Sequence, residues 1–192
     1  MVRLTELAQQ LVSKSVHSGE LVIDATAGNG LDTLFLARLV GPAGRVIACD
    51  IQPTAIQSAK QKITAAGMDN VEFLLVDHAN LFQELNSNES GRVAGVMFNL
   101  GYLPGGDKSV ITTKASTVTA VSLAVDLLRA DGILTVLAYI GHPGGQEEAQ
   151  AVEAELQVHI AAGELHVSAW PESALESNIP RLYAVQRLPT ND

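Results

Sequence analysis

Short apolar segments alternate with helix-like segments along most of the chain, and this alternation constrains the fold more than any other feature. Continuous apolar runs predict strands, and apolar residues spaced three or four positions apart predict helices. Such an alternation predicts an α/β fold with a parallel sheet covered by helices on both faces. The predicted strands are 21–25, 45–51, 71–77, 95–100, 133–140, 165–170 and 181–188, and the predicted helices are 31–40, 53–67, 115–130 and 146–162.

The strands differ in character between the two ends of the chain. The first four are nearly all apolar, as expected of strands buried on both faces. The last two, 165–170 and 181–188, follow one another without a long helix, which predicts an antiparallel end to the sheet. A polar stretch at 86–91 reads as a surface loop.

Composition narrows the class of protein. The chain has 192 residues, so we expect one domain over 1–192 with an N-terminal helix in 1–18. A hydrophobic content of 47% against 17% charged residues excludes a disordered chain. The single cysteine, Cys49, excludes a disulfide framework, and the scattered histidines predict no metal site. Without a signal peptide or a membrane-length apolar run, we expect a soluble cytoplasmic protein with no membrane partner.

Net charge limits the kind of nucleic-acid contact that the chain can make. The formal charge of −9 comes from 12 basic and 21 acidic residues. Non-specific duplex binding depends on neutralising many phosphates, so it is disfavoured. A local basic patch is compatible with this balance, and any RNA partner is expected to have a small, specific footprint.

Acidic residues end three successive predicted strands beside a glycine-rich loop. Asp24 opens the segment that leads to Gly28 and Gly30, between the first strand and the first of the predicted helices. Glycines there allow a tight turn and close approach of a ligand. Asp50 is positioned to hydrogen-bond the hydroxyls of a ribose, and Asp77 suits the exocyclic amine of an adenine. Each acid alone reads equally as a helix cap, but together they predict a nucleoside site at the carboxyl ends of the strands.

Two residues distinguish between nucleoside ligands. Thr33 occupies the position of the third small residue in a dinucleotide fingerprint, and Asp32 would repel a pyrophosphate. S-adenosylmethionine carries no phosphate, and its ammonium could be met by Asp24 or Asp32. The pattern therefore resembles the class I methyltransferase fold. That resemblance implies a Rossmann-like, seven-stranded, mostly parallel sheet with an antiparallel last strand.

The segment after the fourth strand carries a second candidate site. Asn99 and Tyr102 have the spacing of the Asn-Pro-Pro-Tyr motif of amino-group methyltransferases. The Asn99 side-chain oxygen and the Leu100 carbonyl could accept the N–H groups of an amine, and Tyr102 could stack on a base. The alternative is that Gly101, Pro104, Gly105 and Gly106 only shape a surface loop. A long loop with a central aromatic and charges favours function.

Four segments together resemble a particular family. They are DATAGNGLDTLFLA, CDIQ, NLGYLPGGDKSVITT and YIGHPGG. They are similar to those of small bacterial class I methyltransferases described as rRNA methylases, whose members methylate 5-aminomethyl-(2-thio)uridine at the tRNA wobble position. The tail departs from the family pattern at 178–180, and 114–117 also diverges.

The resemblance implies S-adenosylmethionine as cofactor, RNA as partner and a set of site residues. Thr112, Thr113 and Lys114 would help to hold the RNA strand. The cofactor side would comprise Asn29, Asp32, Asp50, Gln52, Asp77 and His78, beside the loop residues Asp24, Gly28 and Gly30, and the substrate side Asn99, Tyr102, Asp107 and His142.

Other functions remain open at this point. The amine could belong to the tRNA anticodon region, rRNA, a protein or a small molecule. An alkylamine is mostly protonated at neutral pH, and Asp107 or His142 could accept its proton. His142 could equally be a turn residue. More distant alternatives are a nicotinamide-dependent oxidoreductase and a non-enzymatic nucleoside-binding module. The chain could act as a monomer or as a homodimer that assembles an RNA-binding surface.

Overall fold

A computed structural model describes residues 3–85, 89–107, 110–171 and 179–189. Thirteen elements follow one another within these ranges. In chain order they are α1 (Leu4–Ser15), β1 (Leu21–Asp24), α2 (Leu31–Val40), β2 (Arg45–Asp50), α3 (Pro53–Ala65), β3 (Val71–Leu75), α4 (His78–Leu85), β4 (Val93–Leu100), α5 (Lys114–Leu127), β5 (Leu128–Ala138), α6 (Gly145–Ala161), β6 (Leu165–Ala169) and β7 (Arg181–Arg187).

The seven strands form a single sheet in the order β3-β2-β1-β4-β5-β7-β6. The first five strands run parallel, whereas β7 pairs antiparallel with both β5 and β6. The mostly parallel sheet with an antiparallel last strand is therefore confirmed. The order reverses between β1 and β4, and ligands in open α/β sheets bind outside the carboxyl ends of the strands at such a point.

The sheet is covered on both faces, and alternate residues of a strand supply the two cores. Ile23 of β1 packs with α4, α5 and α6, while the neighbouring Val22 packs with α1 and α2. Ala48 of β2 packs with Ile56 and Ala59 of α3. Three helices thus lie on each face. No helix among the described residues is long and apolar enough to cross a membrane.

Several boundaries differ from the sequence-based prediction. The short helix α4 was not predicted, because it begins directly after β3 with no punctuating glycine or proline. The helix predicted to extend to residue 130 ends at Leu127, since Leu128 already pairs with Val93 of β4. Asp131 then adopts a positive φ of 60°, and Ile133 resumes the pairing opposite Gly95.

Burial of β3 also differs from the prediction. It lies at one edge of the sheet, and the side chains of Glu72 and Leu75 are exposed. An apolar run is therefore not sufficient to indicate burial on both faces. The polar loop predicted at 86–91 lies partly outside the described residues, as does Asn178 in the divergent tail.

Candidate functional site

A single cleft lies at the carboxyl ends of the central strands, which we call the strand-end cleft. It opens over the switch point between β1 and β4, with the glycine loop (25–30) on one side and the strand-four loop (101–112, described at 101–107 and 110–112) on the other. Helix α1 contributes Thr5, and Tyr139 comes directly after the end of β5. The other lining residues are Ala25–Asn29, Leu31, Asp32, Asp50–Gln52, Val76–His78, Asn99–Pro104 and Val110–Thr113.

The glycine loop is held tightly against its neighbours. The Gly28 N–H donates to Asp50 Oδ2 over 2.9 Å, which ties the loop to the end of β2. Gly30 has a positive φ of 75°, and a Cβ there would lie 2.7 Å from the Ala59 Cα of α3. Gly30 lies outside the cleft lining. Its missing side chain therefore serves the packing of the loop on α3.

Asp24 and Asp32, the two acids considered for a ligand ammonium, occupy different environments. Asp24 is fully buried beneath the loop and does not line the cleft. Thr33 Oγ1 donates to its Oδ2 over 2.6 Å, and the Thr26 N–H donates to its Oδ1. Burial, with a smaller contribution from the nearby Asp32 carboxylate, raises the pKa of Asp24 to about 7. Asp32 alone of the two faces the cleft.

Asp50 and Asp77 line the cleft and also make local hydrogen bonds. Asp50 accepts the N–H groups of Gly28 and Gln52, both over 2.9 Å. Asp77 Oδ1 accepts the Ala79 N–H over 2.8 Å, which caps α4, and the Ser116 hydroxyl over 2.6 Å. These bonds fix the orientation of each carboxylate at its strand end.

His78 and Gln52 also reach the cleft, from the starts of α4 and α3. The His78 ring packs edge-on against Phe98, with ring centroids 5.7 Å apart. Burial lowers the pKa of His78, although the neighbouring Asp77 carboxylate opposes this shift. The ring is therefore expected to be neutral at physiological pH.

Asn99 at the end of β4 is oriented by a carboxylate. Its Nδ2 donates to Asp32 Oδ2, and Gln9 Nε2 of α1 donates to Asp32 Oδ1 over 2.7 Å. An ionised carboxylate only accepts hydrogen bonds, so the atom of Asn99 that faces Asp32 must be the NH₂ group. The Asn99 Oδ1 is thereby left to accept a hydrogen bond from a ligand. The Leu100 carbonyl, proposed above as a second acceptor, already accepts the Tyr139 N–H over 3.1 Å.

The strand-four loop folds over the glycine loop. Tyr102 pairs with Ile111 in an isolated bridge, and its side chain is 41% exposed at the cleft. Asn29 Nδ2 donates to the Pro104 carbonyl over 3.1 Å. Asn29 therefore fastens the tip of the strand-four loop to the glycine loop.

The structure does not bring Asp107 and His142 into the cleft lining. His142 Nδ1 lies 3.0 Å from the Pro143 carbonyl, and its Nε2 is buried with no hydrogen-bond partner among the described residues. The ring lies against Gly101 and edge-on to Tyr102. Lys108 lies outside the described residues.

Three residues that shape the site were not predicted from the sequence, namely Gln9, Tyr139 and Glu148. Gln9 reaches the site from α1 and Tyr139 from the residue after β5, and nothing in their local sequence marks them. Glu148 is 2% exposed and accepts hydroxyl hydrogen bonds from Thr112 and Thr117. Its position was detectable, because it shares the buried stripe of α6 with Val152 and Leu156, four and eight positions later.

The charge of the cleft fits a cationic ligand. Asp32, Asp50 and Asp77 line it, and the described lining residues include neither Lys nor Arg. These carboxylates would repel a pyrophosphate, whereas a sulfonium or an ammonium would be attracted. The residues present therefore fit S-adenosylmethionine and disfavour a dinucleotide.

Comparison with known proteins points to the same chemistry. Residues 46–186 match the family described as "Putative rRNA methylase", and residues 2–87 match the protein-L-isoaspartate(D-aspartate) O-methyltransferase family. The chloroplastic tRNA (mnm5s2U34)-methyltransferase of Arabidopsis thaliana is 39% identical over 161 residues, which are 79% of this chain and 58% of that protein. The chain thus spans a little over half the length of this curated relative.

Solved structures of similar chains share the whole fold. A protein from Clostridium thermocellum, described as a "putative rRNA-methylase", is 35% identical with a TM-score of 0.88, over 98% of this chain and 99% of that one. A methyltransferase from Streptococcus mutans, solved in complex with SAH, is 29% identical with a TM-score of 0.83 over the same shares of the two chains.

Proposed function

Since the chain belongs to the rRNA methylase family, we propose that it is an S-adenosylmethionine-dependent methyltransferase and that it methylates an amine nitrogen of RNA. The substrate we propose is 5-aminomethyl-(2-thio)uridine at the tRNA wobble position. The observation that carries this proposal is the Asn99 amide, whose oxygen Asp32 leaves available at the end of β4. The Arabidopsis relative, named for the corresponding tRNA nucleotide, supports the choice of RNA.

The acids of the strand-end cleft would hold the cofactor. Asp50 would accept the ribose hydroxyls, and Asp77 would accept the exocyclic amine of the adenine. Asp32 would attract the ammonium of the methionine end. When bound, S-adenosylmethionine supplies a methyl group on a positively charged sulfur. Gln52, Asn29 and His78 would complete the cofactor side.

Asn99 would orient the amine. Its Oδ1 would accept one N–H, and the remaining lone pair of the Leu100 carbonyl would accept another. The nitrogen lone pair would then point at the methyl group, and alignment of this kind supplies about 7–11 kcal/mol in favourable cases. Tyr102 would stack on the uracil ring.

The amine must lose a proton before it can react. An alkylamine has a pKa of roughly 10.4 in water, and desolvation in a closed cleft lowers it. Asp107 and His142 remain our proposed proton acceptors. Because neither lines the cleft, transfer to them would pass through water or follow a movement of their loops.

The deciding experiment is methyl transfer from labelled S-adenosylmethionine to tRNA that carries wobble 5-aminomethyl-2-thiouridine. Mass spectrometry of the nucleosides should show one added methyl on that nucleoside. The same tRNA with an unmodified wobble uridine is the control and should gain no label. No transfer to the aminomethyl substrate, with cofactor binding intact, would contradict the tRNA proposal.

rRNA is the second candidate substrate, because the family description names it. The same assay with rRNA fragments separates the two candidates. Methylation of rRNA alone would retain the enzyme class and replace the substrate.

A further inference from the structure

A buried carboxylate anchors the neck of the strand-four loop. Glu148, near the start of α6, is 2% exposed. Thr112 Oγ1 donates to its Oε2 over 2.8 Å, and Thr117 Oγ1 donates to its Oε1 over 2.6 Å. Both oxygens of the carboxylate are thus satisfied by hydroxyl groups. We call these three residues the threonine–glutamate network.

The network reaches the loop through Thr112. The Gly101 N–H donates to Thr112 Oγ1 over 3.0 Å, and the Thr112 N–H donates back to the Gly101 carbonyl over 3.0 Å. The bridge between Tyr102 and Ile111 is the next backbone pairing between the two ends of the loop. The two ends of the loop are therefore closed on each other, and Glu148 holds the closed neck.

The other arm of the network reaches the cofactor side of the cleft. Thr117 lies in α5, and its Oγ1 is 3.5 Å from His78 Nε2. Glu148 consequently joins α6 to α5 and to the strand-four loop. Its Thr112 arm faces the proposed substrate side, whereas its Thr117 arm approaches the proposed cofactor side.

Burial of the Glu148 carboxylate makes its two hydrogen bonds important for the stability of the closed neck. A buried carboxylate destabilises the folded protein unless hydrogen-bond donors compensate it, so the loss of a donor from such a group is unfavourable. Opening the neck would remove Thr112 from Glu148 while the carboxylate stayed buried. The closed neck is therefore favoured by the need to satisfy Glu148.

We propose that Glu148 is a positioning residue that holds the strand-four loop closed, so that Tyr102 and Leu103 form the wall on which the substrate base docks. This inference rests on the proposed function, because it assigns the substrate to that loop. It makes Glu148 act through Thr112, without contact with the reacting atoms.

The test compares Glu148→Gln and Thr112→Val with two matched variants. Glutamine keeps the size of Glu148 but offers one acceptor oxygen, and valine removes the Thr112 hydroxyl. Thr112→Ser restores the hydroxyl. Glu147→Gln changes the exposed neighbouring acid on the same helix. The measurements are KM and kcat for the RNA, the Kd for SAH, and hydrogen exchange of the backbone amides of residues 101–112.

We expect Glu148→Gln and Thr112→Val to raise the KM for RNA about tenfold, which corresponds to the loss of one hydrogen bond to a buried charged group. The amides of Gly101 and Thr112 should exchange about tenfold faster in both variants. In Thr112→Val the Kd for SAH should change by less than about threefold, because the Thr117 arm stays in place. Glu147→Gln should behave as the unaltered protein does, and Thr112→Ser should restore slow exchange at Gly101 and Thr112 relative to Thr112→Val.

Two results would overturn the inference. One is unchanged amide exchange at Gly101 and Thr112 in Glu148→Gln. The other is an equal loss of SAH affinity and RNA affinity, which would indicate a general structural role. The exchange measurement needs no substrate, so it decides about the loop even if the unaltered protein fails to methylate the tRNA.

Discussion

Among single residues, Asn99 depends most on its neighbours for the role we propose. Asp32 accepts from its NH₂ group, and Gln9 holds Asp32 from the other side. The orientation of the amide is thus decided by an acceptor-only partner. Asp50, in contrast, is held by two backbone N–H groups and would serve the cofactor.

Substitutions at these two residues should separate turnover from cofactor affinity. Asn99→Ala should lower kcat about 100-fold, because a misaligned amine loses the benefit of positioning. The Kd for S-adenosylmethionine should stay within about threefold. Asp50→Ala should chiefly weaken cofactor binding, by about tenfold, through loss of hydrogen bonds to a charged group. Calorimetry and single-turnover assays measure both quantities, and equal losses of affinity and turnover in Asn99→Ala would contradict its assigned role.

Asp24 should make the stability of the protein depend on pH. Its pKa is raised from 3.8 to about 7 by burial. The folded protein therefore binds the proton more tightly than the unfolded chain, and the free energy of unfolding falls as the pH rises from about 4 to about 7. The full span corresponds to roughly 4 kcal/mol, and the contribution is constant above pH 7.

Asp24→Asn should remove this dependence. Between about pH 5 and pH 7.5, the stability of the variant relative to the unaltered protein should rise by about 3 kcal/mol. Urea unfolding at a series of pH values measures it. Asp69→Asn, at an exposed position, is the control and should show a constant difference. A constant difference for Asp24→Asn as well would show that Asp24 does not titrate in this range.

At the scale of elements, the glycine loop joins β1 to α2 and depends on contact with α3. Gly30 combines a positive φ with a backbone approach of 2.7 Å between its ideal Cβ position and Ala59 Cα. Gly19 also has a positive φ, 88°, but a Cβ there meets nothing within 4 Å. Both glycines therefore have a positive φ, but only Gly30 lies close to atoms of another element.

Alanine substitutions at these positions should distinguish the energetic cost of backbone strain from that of steric overlap. Gly19→Ala should lower the free energy of unfolding by about 1 kcal/mol, from the left-handed backbone alone. Gly30→Ala should cost about 3 kcal/mol or more, because overpacking against α3 is added. Equal losses in urea unfolding would mean that the contact with Ala59 relaxes at no cost.

For the whole molecule, charge governs how RNA can be held. The net charge is −9, and Arg45, Arg92, Arg129, Arg181 and Arg187 form ion pairs with glutamates. Five of the twelve basic residues are therefore partly neutralised by glutamates. Recognition would then depend on the base in the cleft more than on the backbone of the RNA.

The affinity for RNA should accordingly depend weakly on salt. With about three phosphates neutralised, the slope of log K against log salt concentration should be about −2 for a single strand. Fluorescence anisotropy of an anticodon stem-loop between about 50 and 200 mM KCl measures this slope. A slope steeper than about −5 would indicate a basic surface that the charge distribution does not suggest.

Sequence periodicity was enough to predict the layered fold and the edge of the sheet at which the site lies. Periodicity encodes which residues are buried, and parallel strands bring their carboxyl ends to one edge, so Asp50, Asp77 and Asn99 were predictable as neighbours. The short helix α4 and the exposure of β3 were not predicted. Local hydrophobicity does not reveal which strand lies at the edge of a sheet, and this explains the error for β3.

Which of these side chains face the cleft depends on the tertiary structure and could not be read from the sequence. Asp24 and Asp32 are eight positions apart, yet one is sealed beneath the loop and the other faces the cleft with Asn99. Gln9 and Glu148 are far apart in the sequence. Their hydrogen-bond partners depend on how α1 and α6 pack on the sheet. Contacts between distant elements depend on how helices lie across a twisted sheet, and no local spacing carries that information.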